Sequence, residues 1–162
     1  TSPKGITSIS GRRSWTNCGM AMRTSREVFA DTSGWAAFFV GTEIAHSHAL
    51  ALMRRWQADG VRVVTTNYVV AELTALLIGP LRVGFAYRVD IVETIRNAPW
   101  VDVVHVDPAL DQEAWTLLQQ HSDKNWNLVD CASFAVMRRR GITQTLTRDH
   151  HFEQAGFERL LR

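Results

Sequence analysis

Short apolar runs rich in β-branched residues alternate along this chain with segments of helical length, and that alternation limits the fold more than any other feature. Val28–Asp31, Val61–Thr65, Val101–Val106 and Ile142–Thr147 read as strands, with a short last strand near Phe157–Leu161. Between them Trp35–Val40, Glu43–Asp59, Asn67–Ile78, Leu81–Asn97, Pro108–His121 and Asn127–Arg140 read as helices. Gly60 and Gly141 supply stops, Gly79-Pro80 and Ala98-Pro99 supply breaks, Asn67 is a cap and Pro108 suits a first turn. Strands separated by helices are not joined as hairpins. They are expected to lie in one central, mainly parallel sheet covered on both faces, an α/β/α sandwich of three layers. In such sheets ligands bind beyond the carboxyl ends of the strands.

A chain of 162 residues, 46% hydrophobic and 21% charged, fits one globular domain with a sizeable core. That domain is expected over residues 25–162. Residues 1–24 are rich in Ser, Thr, Gly and Arg without a hydrophobic period, and read as an irregular arm or a start-site extension ahead of Met20 and Met22. No apolar run approaches the roughly 18–20 residues that span a bilayer. The two cysteines, Cys18 and Cys131, form neither a disulfide framework nor a zinc pattern, which suits unpaired thiols in a reducing cytoplasm. The net charge of +2 belongs to the arm, because residues 1–26 hold five basic residues and no acid, leaving 13 basic and 16 acidic residues beyond. Overall basicity is therefore weak support for nucleic-acid binding.

Four acids stand out: Asp31, Glu72, Asp130 and Asp149. Each has a simple structural explanation. Asp31 or Ser33 can cap the next helix. Glu72 sits at the margin of the stripe Val69, Leu73, Leu76 and Leu77, where a solvated charge is tolerated. Asp130 interrupts a helix that is apolar nearly all round, and an Arg from elsewhere in the fold can neutralise it. Asp149 suits a turn, with Arg148 as a neighbour. Against these stands one common explanation. A buried carboxylate costs several kcal/mol unless paired, protonated or bound to a cation. Carboxylates gathered in one cleft also raise each other's pKa. A hard divalent ion such as Mg²⁺ or Mn²⁺ removes both costs, accepts oxygen donors and keeps waters that can attack a phosphodiester.

Taken in order, Phe29-Ala30-Asp31-Thr32-Ser33, Val70-Ala71-Glu72-Leu73, Leu128-Val129-Asp130-Cys131-Ala132-Ser133-Phe134 and Thr147-Arg148-Asp149-His150-His151-Phe152 resemble a PIN domain across residues 27–162, with the acids 41, 58 and 19 positions apart. Size and short connections are most similar to the VapC-type toxins of bacterial type II toxin–antitoxin pairs. The resemblance implies a Mg²⁺-dependent endoribonuclease in the cytoplasm, with Mn²⁺ as a substitute. It implies an RNA substrate, a homodimer and a cognate antitoxin whose C-terminal segment enters the acidic cleft. It also implies that Asp31, Glu72 and Asp130 form the core metal site and that Asp149 completes or supports it. Thr32 or Ser33 would orient Asp31 or bind a metal water. Relatives carry Ser or Thr three residues before the third acid, where this chain has Asn127, and the long arm is atypical. The alternative function is a PIN module that binds RNA or protein without cutting. A phosphatase of the dehalogenase type would want an acid at Ser33, and a dinucleotide fold a Gly-rich turn at Thr32-Ser33-Gly34-Trp35.

Other conspicuous residues have plainer readings. Arg138-Arg139-Arg140 suit a helix C-terminus through its dipole, with phosphate binding second. Arg54, Arg55, Arg82, Arg88 and Arg96 read as solvated faces ahead of RNA tracks. His46, His48, His150 and His151 lack partners at zinc spacing and read as structural. The six tryptophans suit core or interface, with base stacking by Trp35 or Trp126 the minor alternative.

Overall fold

The computed structural model describes residues 26–162. The expected arm at 1–24, with Cys18, lies outside the described residues. In chain order the elements are β1 (Glu27–Ala30), α1 (Thr32–Phe39), α2 (His46–Asp59), β2 (Arg62–Thr66), α3 (Asn67–Ile78), α4 (Phe85–Asn97), β3 (Val101–Val104), α5 (Pro108–Gln120), α6 (Leu128–Arg140), β4 (Gln144–Leu146), α7 (His151–Gln154) and β5 (Glu158–Arg159). The five strands pair in the order β3-β2-β1-β4-β5, and every pairing is parallel. The expected α/β/α sandwich is therefore present. Among the described residues no helix is long and apolar enough to cross a membrane.

The helix stops fall where the sequence puts them. Gly60 and Gly141 adopt left-handed φ values of 68° and 66°, a conformation glycine reaches at little cost. Several starts differ, each for a local reason. Residues 41–45 form turns that bond Glu43 N–H to Val40 O and His46 N–H to Glu43 O, so α2 begins at His46 and not at Glu43. After Pro80 the chain folds back onto the end of α3, Leu81 N–H bonding Leu76 O and Val83 N–H bonding Leu77 O, so α4 begins at Phe85 and not at Leu81. Asn67 is not the cap of α3. Thr66 is, through its hydroxyl and the Val69 amide, while Asn67 Oδ1 accepts the Val106 N–H at 2.8 Å and closes the end of β3. The four-residue helix α7 carries too little pattern to read from sequence.

Strand order decides where a crevice forms. From β1 the chain winds outward through β2 to β3, then returns across the sheet to place β4 on the other side of β1. Connections thus leave β1 and β4 in opposite senses, and helices cannot cover the gap beyond their carboxyl ends. Asp31 follows β1 directly, and Thr147 follows β4. The core beneath is apolar and tightly filled, with Phe29, Trp35, Phe134 and Phe152 all fully buried. Phe134 meets Phe152 edge-on at 5.0 Å, anchoring α7 below the crevice. Trp35 donates to Thr65 Oγ1 at 3.2 Å, and that hydroxyl donates to Ala30 O at 2.9 Å, fixing the last residue of β1. With Trp35 fully buried and Trp126 6% exposed, neither ring offers a face to a nucleobase, which corrects that alternative.

Gly34 sets how closely α1 approaches the switch between β1 and β4. A Cβ at this position would lie 1.9 Å from Leu146 O, so the helix rides on bare strand backbone. Gly34→Ala is expected to push α1 away from β4 and destabilise the fold by roughly 1–3 kcal/mol or more. Urea unfolding measures this, and a change below about 0.5 kcal/mol would contradict the contact.

Candidate active site

Asp31 occupies the N-cap position of α1, yet its carboxylate makes no capping hydrogen bond, so the simple capping role does not describe it. Its side chain is turned to hydroxyls. Thr147 Oγ1 donates to Asp31 Oδ2 at 3.0 Å, and Ser33 Oγ approaches the same oxygen at 3.5 Å. Ser33 and Thr147 also bond each other at 2.9 Å. Two amides close the group, Arg148 N–H on Ser33 Oγ and Asp149 N–H on Thr147 Oγ1, each at 2.9 Å. Asp31 is 5% exposed. Burial raises its pKa from 3.8 to about 7, with the Asp130 and Glu72 charges adding to the rise, while the Thr32 amide and the Thr147 hydroxyl pull the other way.

Asp130 is the third residue of α6 and forms a capping box with Asn127. Its amide donates to Asn127 Oδ1, and its Oδ2 accepts the Asn127 amide, both at 2.8 Å. Asn127, predicted only as a polar substitute, is thus the residue that aims Asp130. Oδ1 of Asp130 has no hydrogen bond among the described residues. Burial raises the Asp130 pKa above its usual range, opposed by the Asn127 amide and reinforced by the Asp149 charge; His151 lowers it and Glu72 raises it.

Glu72 is half-buried, not solvated at the helix edge. Thr32 Oγ1 donates to its Oε2, and Asn127 Nδ2 donates to its Oε1 at 3.4 Å. Thr32 therefore serves Glu72 and not Asp31, while Ser33 is the neighbour of Asp31. Asp149 Oδ1 accepts the His151 amide at 2.9 Å, a tight local turn. Arg148 is not its partner, since the guanidinium lies 3.7 Å from Glu43.

No Arg or Lys among the described residues pairs with any of the four acids. Among the described residues Asp130 has no Arg or Lys neighbour to neutralise it. Two of the three consecutive arginines are occupied elsewhere: Arg139 pairs with Glu113, and Arg140 bridges Glu27 and Asp102 at the amino end of the strands. Asp31, Glu72 and Asp130 instead act on one another electrostatically, and Asp149 acts on Asp130. The donor set is oxygen-rich, anionic and without counter-cations, and so fits a hard divalent ion. The four carboxylates are nevertheless not drawn into one tight knot. Among the described residues, the set with ligand atoms all within 4.8 Å of one another is Asp149, His150 and His151.

Sequence reasoning gave Thr147 no separate role and read His151 as structural. Thr147 had a readable signal, a polar side chain at the end of a strand neighbouring that of Asp31. His151 was visible only as one of a histidine pair, because its place depends on α7. Its Nδ1 lies 3.3 Å from Asp149 Oδ2 and 3.4 Å from Asp130 Oδ2. Beneath the site the Cys131 thiol is fully buried, and burial followed by the Asp130 charge pushes its pKa up to about 11.

Residues 28–158 match the PIN domain family. The chain is 36% identical over 130 residues to the 23S rRNA-specific endonuclease VapC20 of Mycobacterium tuberculosis, an alignment covering 80% of this chain and 95% of that protein. The crystal structure of M. tuberculosis VapC20, described as a Sarcin-Ricin loop cleaving toxin, superposes with a TM-score of 0.71 at 34% identity, covering 83% of this chain and 99% of that one. FitAcB from Neisseria gonorrhoeae shares the fold at a TM-score of 0.54 and 16% identity, over 80% of this chain and 92% of that one.

The buried Asp31 carries a pH signature. An unfolded chain ionises this group near 3.8, whereas the folded protein without divalent cations holds the proton to about 7. Between those values the unfolded state binds fewer protons, so stability falls as pH rises from about 4 to about 7. The loss is on the order of 4 kcal/mol, from about 1.4 kcal/mol per pH unit. Urea unfolding in EDTA across this range is expected to show the decline in the wild type and a smaller decline in Asp31→Asn. Parallel curves would show that Asp31 ionises freely.

Proposed function

The chain belongs to the PIN-domain family, and from that premise we propose that it is a metal-dependent endoribonuclease acting as the toxin of a toxin–antitoxin pair. The observation that carries this reading is the pair of buried carboxylates, Asp31 and Asp130, neither with an Arg or Lys partner among the described residues. Both stand beside the gap where β1 and β4 diverge. Protonated acids here would be idle, and ionised acids without a cation would strain the fold.

In this reading Asp31, Glu72 and Asp130 hold Mg²⁺, with Mn²⁺ as a substitute, and Asp149 supports them. When bound, such an ion lowers the pKa of a coordinated water and offsets charge developing on the phosphate and the leaving oxygen. The protein's share is positioning. Thr147 holds Asp31 by its hydroxyl, Thr32 holds Glu72, and Asn127 orders Asp130 through two amide contacts while reaching Glu72. Oxygens fixed this way keep the geometry that hydrolysis needs without rearrangement.

The VapC20 comparison makes the sarcin–ricin loop of 23S rRNA the substrate to test first. A cognate antitoxin would place a C-terminal segment in the acidic cleft, where a basic side chain gains most. The exposed apolar residues Ile78, Phe85 and Val89 on α3 and α4 support a homodimer surface. The reading treats residues 25–162 as one nuclease domain preceded by an arm at 1–24, working in the cytoplasm.

Cleavage of 23S rRNA with Mg²⁺ or Mn²⁺, with and without EDTA, tests the proposal. Chelation, Asp31→Asn or Asp130→Asn is expected to lower the rate by more than about 100-fold while circular dichroism stays native. Thr147→Val, which removes a supporting contact, is expected to cost about 10–100-fold. Unchanged cutting by folded Asp130→Asn would reject the mechanism. Metal binding without cleavage of any RNA would favour the non-cutting PIN module.

A further inference from the structure

At the edge of the acidic crevice, the chain places two imidazoles where an all-oxygen site needs none. His150 and His151 begin at the turn after Thr147, and their rings lie 4.6 Å apart. Each faces a different oxygen of Asp149: His150 Nδ1 is 3.6 Å from Oδ1, and His151 Nδ1 is 3.3 Å from Oδ2. Asp130 Oδ2 reaches the same His151 nitrogen at 3.4 Å.

Those separations have a chemical meaning. Zinc binds imidazole nitrogen and carboxylate oxygen at about 2.0–2.2 Å in a tetrahedron, which sets neighbouring donors roughly 3.3–3.6 Å apart. The second observation is His151 Nδ1 itself. It is buried from solvent and makes no hydrogen bond, although two carboxylates flank it. A buried polar nitrogen without a partner is costly, and a metal ion between it and the flanking oxygens would satisfy all three at once. His150, by contrast, is 63% exposed, so an ion has an entry path and room for a water.

We infer that Asp149, His150 and His151 form a site for a zinc-class transition-metal ion, of mixed nitrogen and oxygen donors, with Asp130 at its edge beside His151. The inference rests on reading Asp130 and Asp149 as metal-holding residues, and it adds two nitrogens that a magnesium ion does not favour. Asp130 Oδ2, 3.4 Å from His151 Nδ1, connects this site to the acidic crevice.

Cobalt(II) is the probe, because four-coordinate Co²⁺ absorbs visible light strongly and six-coordinate Co²⁺ only weakly. Titration of the whole protein in the absence of RNA is expected to give an intense band that saturates at one equivalent and is removed by Zn²⁺ but not by a similar amount of Mg²⁺. His150→Ala and His151→Ala are each expected to weaken Co²⁺ binding by at least about tenfold. His150 is the safer variant for folding because its ring is largely exposed, and circular dichroism checks both. Asp31→Asn is expected to keep the band. An intense band unchanged in folded His150→Ala and His151→Ala, or its absence from the wild type, would overturn the site. The nuclease reading fails separately, if folded Asp31→Asn still cuts RNA, whatever the cobalt spectrum shows.

Discussion

Everything at the crevice depends on keeping the carboxylate of Asp31 out of water with no Arg or Lys beside it among the described residues. Thr147 and Ser33 solvate it only in part, since a hydroxyl stabilises an anion far less than bulk water or a guanidinium. The residual cost is what lifts its pKa to about 7. Asp130 and Glu72 deepen the same potential from two other helices. The fold holds these groups in place because its aromatic core, from Phe29 and Trp35 to Phe134 and Phe152, is filled independently of them. Stability is concentrated below the crevice and given up within it, a division common to sites that must meet a ligand.

Topology explains why residues so distant in sequence meet. A parallel sheet that reverses its winding leaves a gap beside β1, and strands lying next to each other deliver their next residues to it. Helix starts supply the remainder. Thr32 opens α1, Asn127 and Asp130 open α6, and Glu72 lies in the second turn of α3. Amides in first turns are free of intrahelical bonds, so they are available to fix side chains. Asn127 uses this freedom, taking the Asp130 amide and reaching across to Glu72.

Much of this was legible in the sequence, and the remainder was hidden for definite reasons. Alternating apolar runs disclosed the parallel sheet, and Asp130 betrayed itself by interrupting an apolar helix. Asn127 looked like a departure from the family pattern, yet an amide can both accept from the helix and donate to a carboxylate, which a hydroxyl at that position does less readily. Thr32 and Ser33, expected to share one role beside Asp31, divide between Glu72 and Asp31, because α1 starts at Thr32 and turns that side chain toward α3. Starts of α2 and α4 were misjudged where turns bond back onto the preceding helix, a tertiary detail without periodic signal. The two histidines of the last turn looked structural because zinc spacing was sought along the chain, whereas proximity here is created by α7.

The contacts around Thr147 join two alcohols and two main-chain amides to one carboxylate. A hydroxyl has a single proton, and that of Thr147 goes to Asp31. Ser33 lies within reach of both Thr147 Oγ1 and Asp31 Oδ2, and accepts the Arg148 amide N–H as Thr147 accepts that of Asp149. The result is a set of dipoles running from main-chain nitrogen through two alcohols to a carboxylate, each link polarising the next. Replacing either alcohol with a methyl group would therefore silence more than one bond, because each hydroxyl both receives a main-chain amide and faces Asp31.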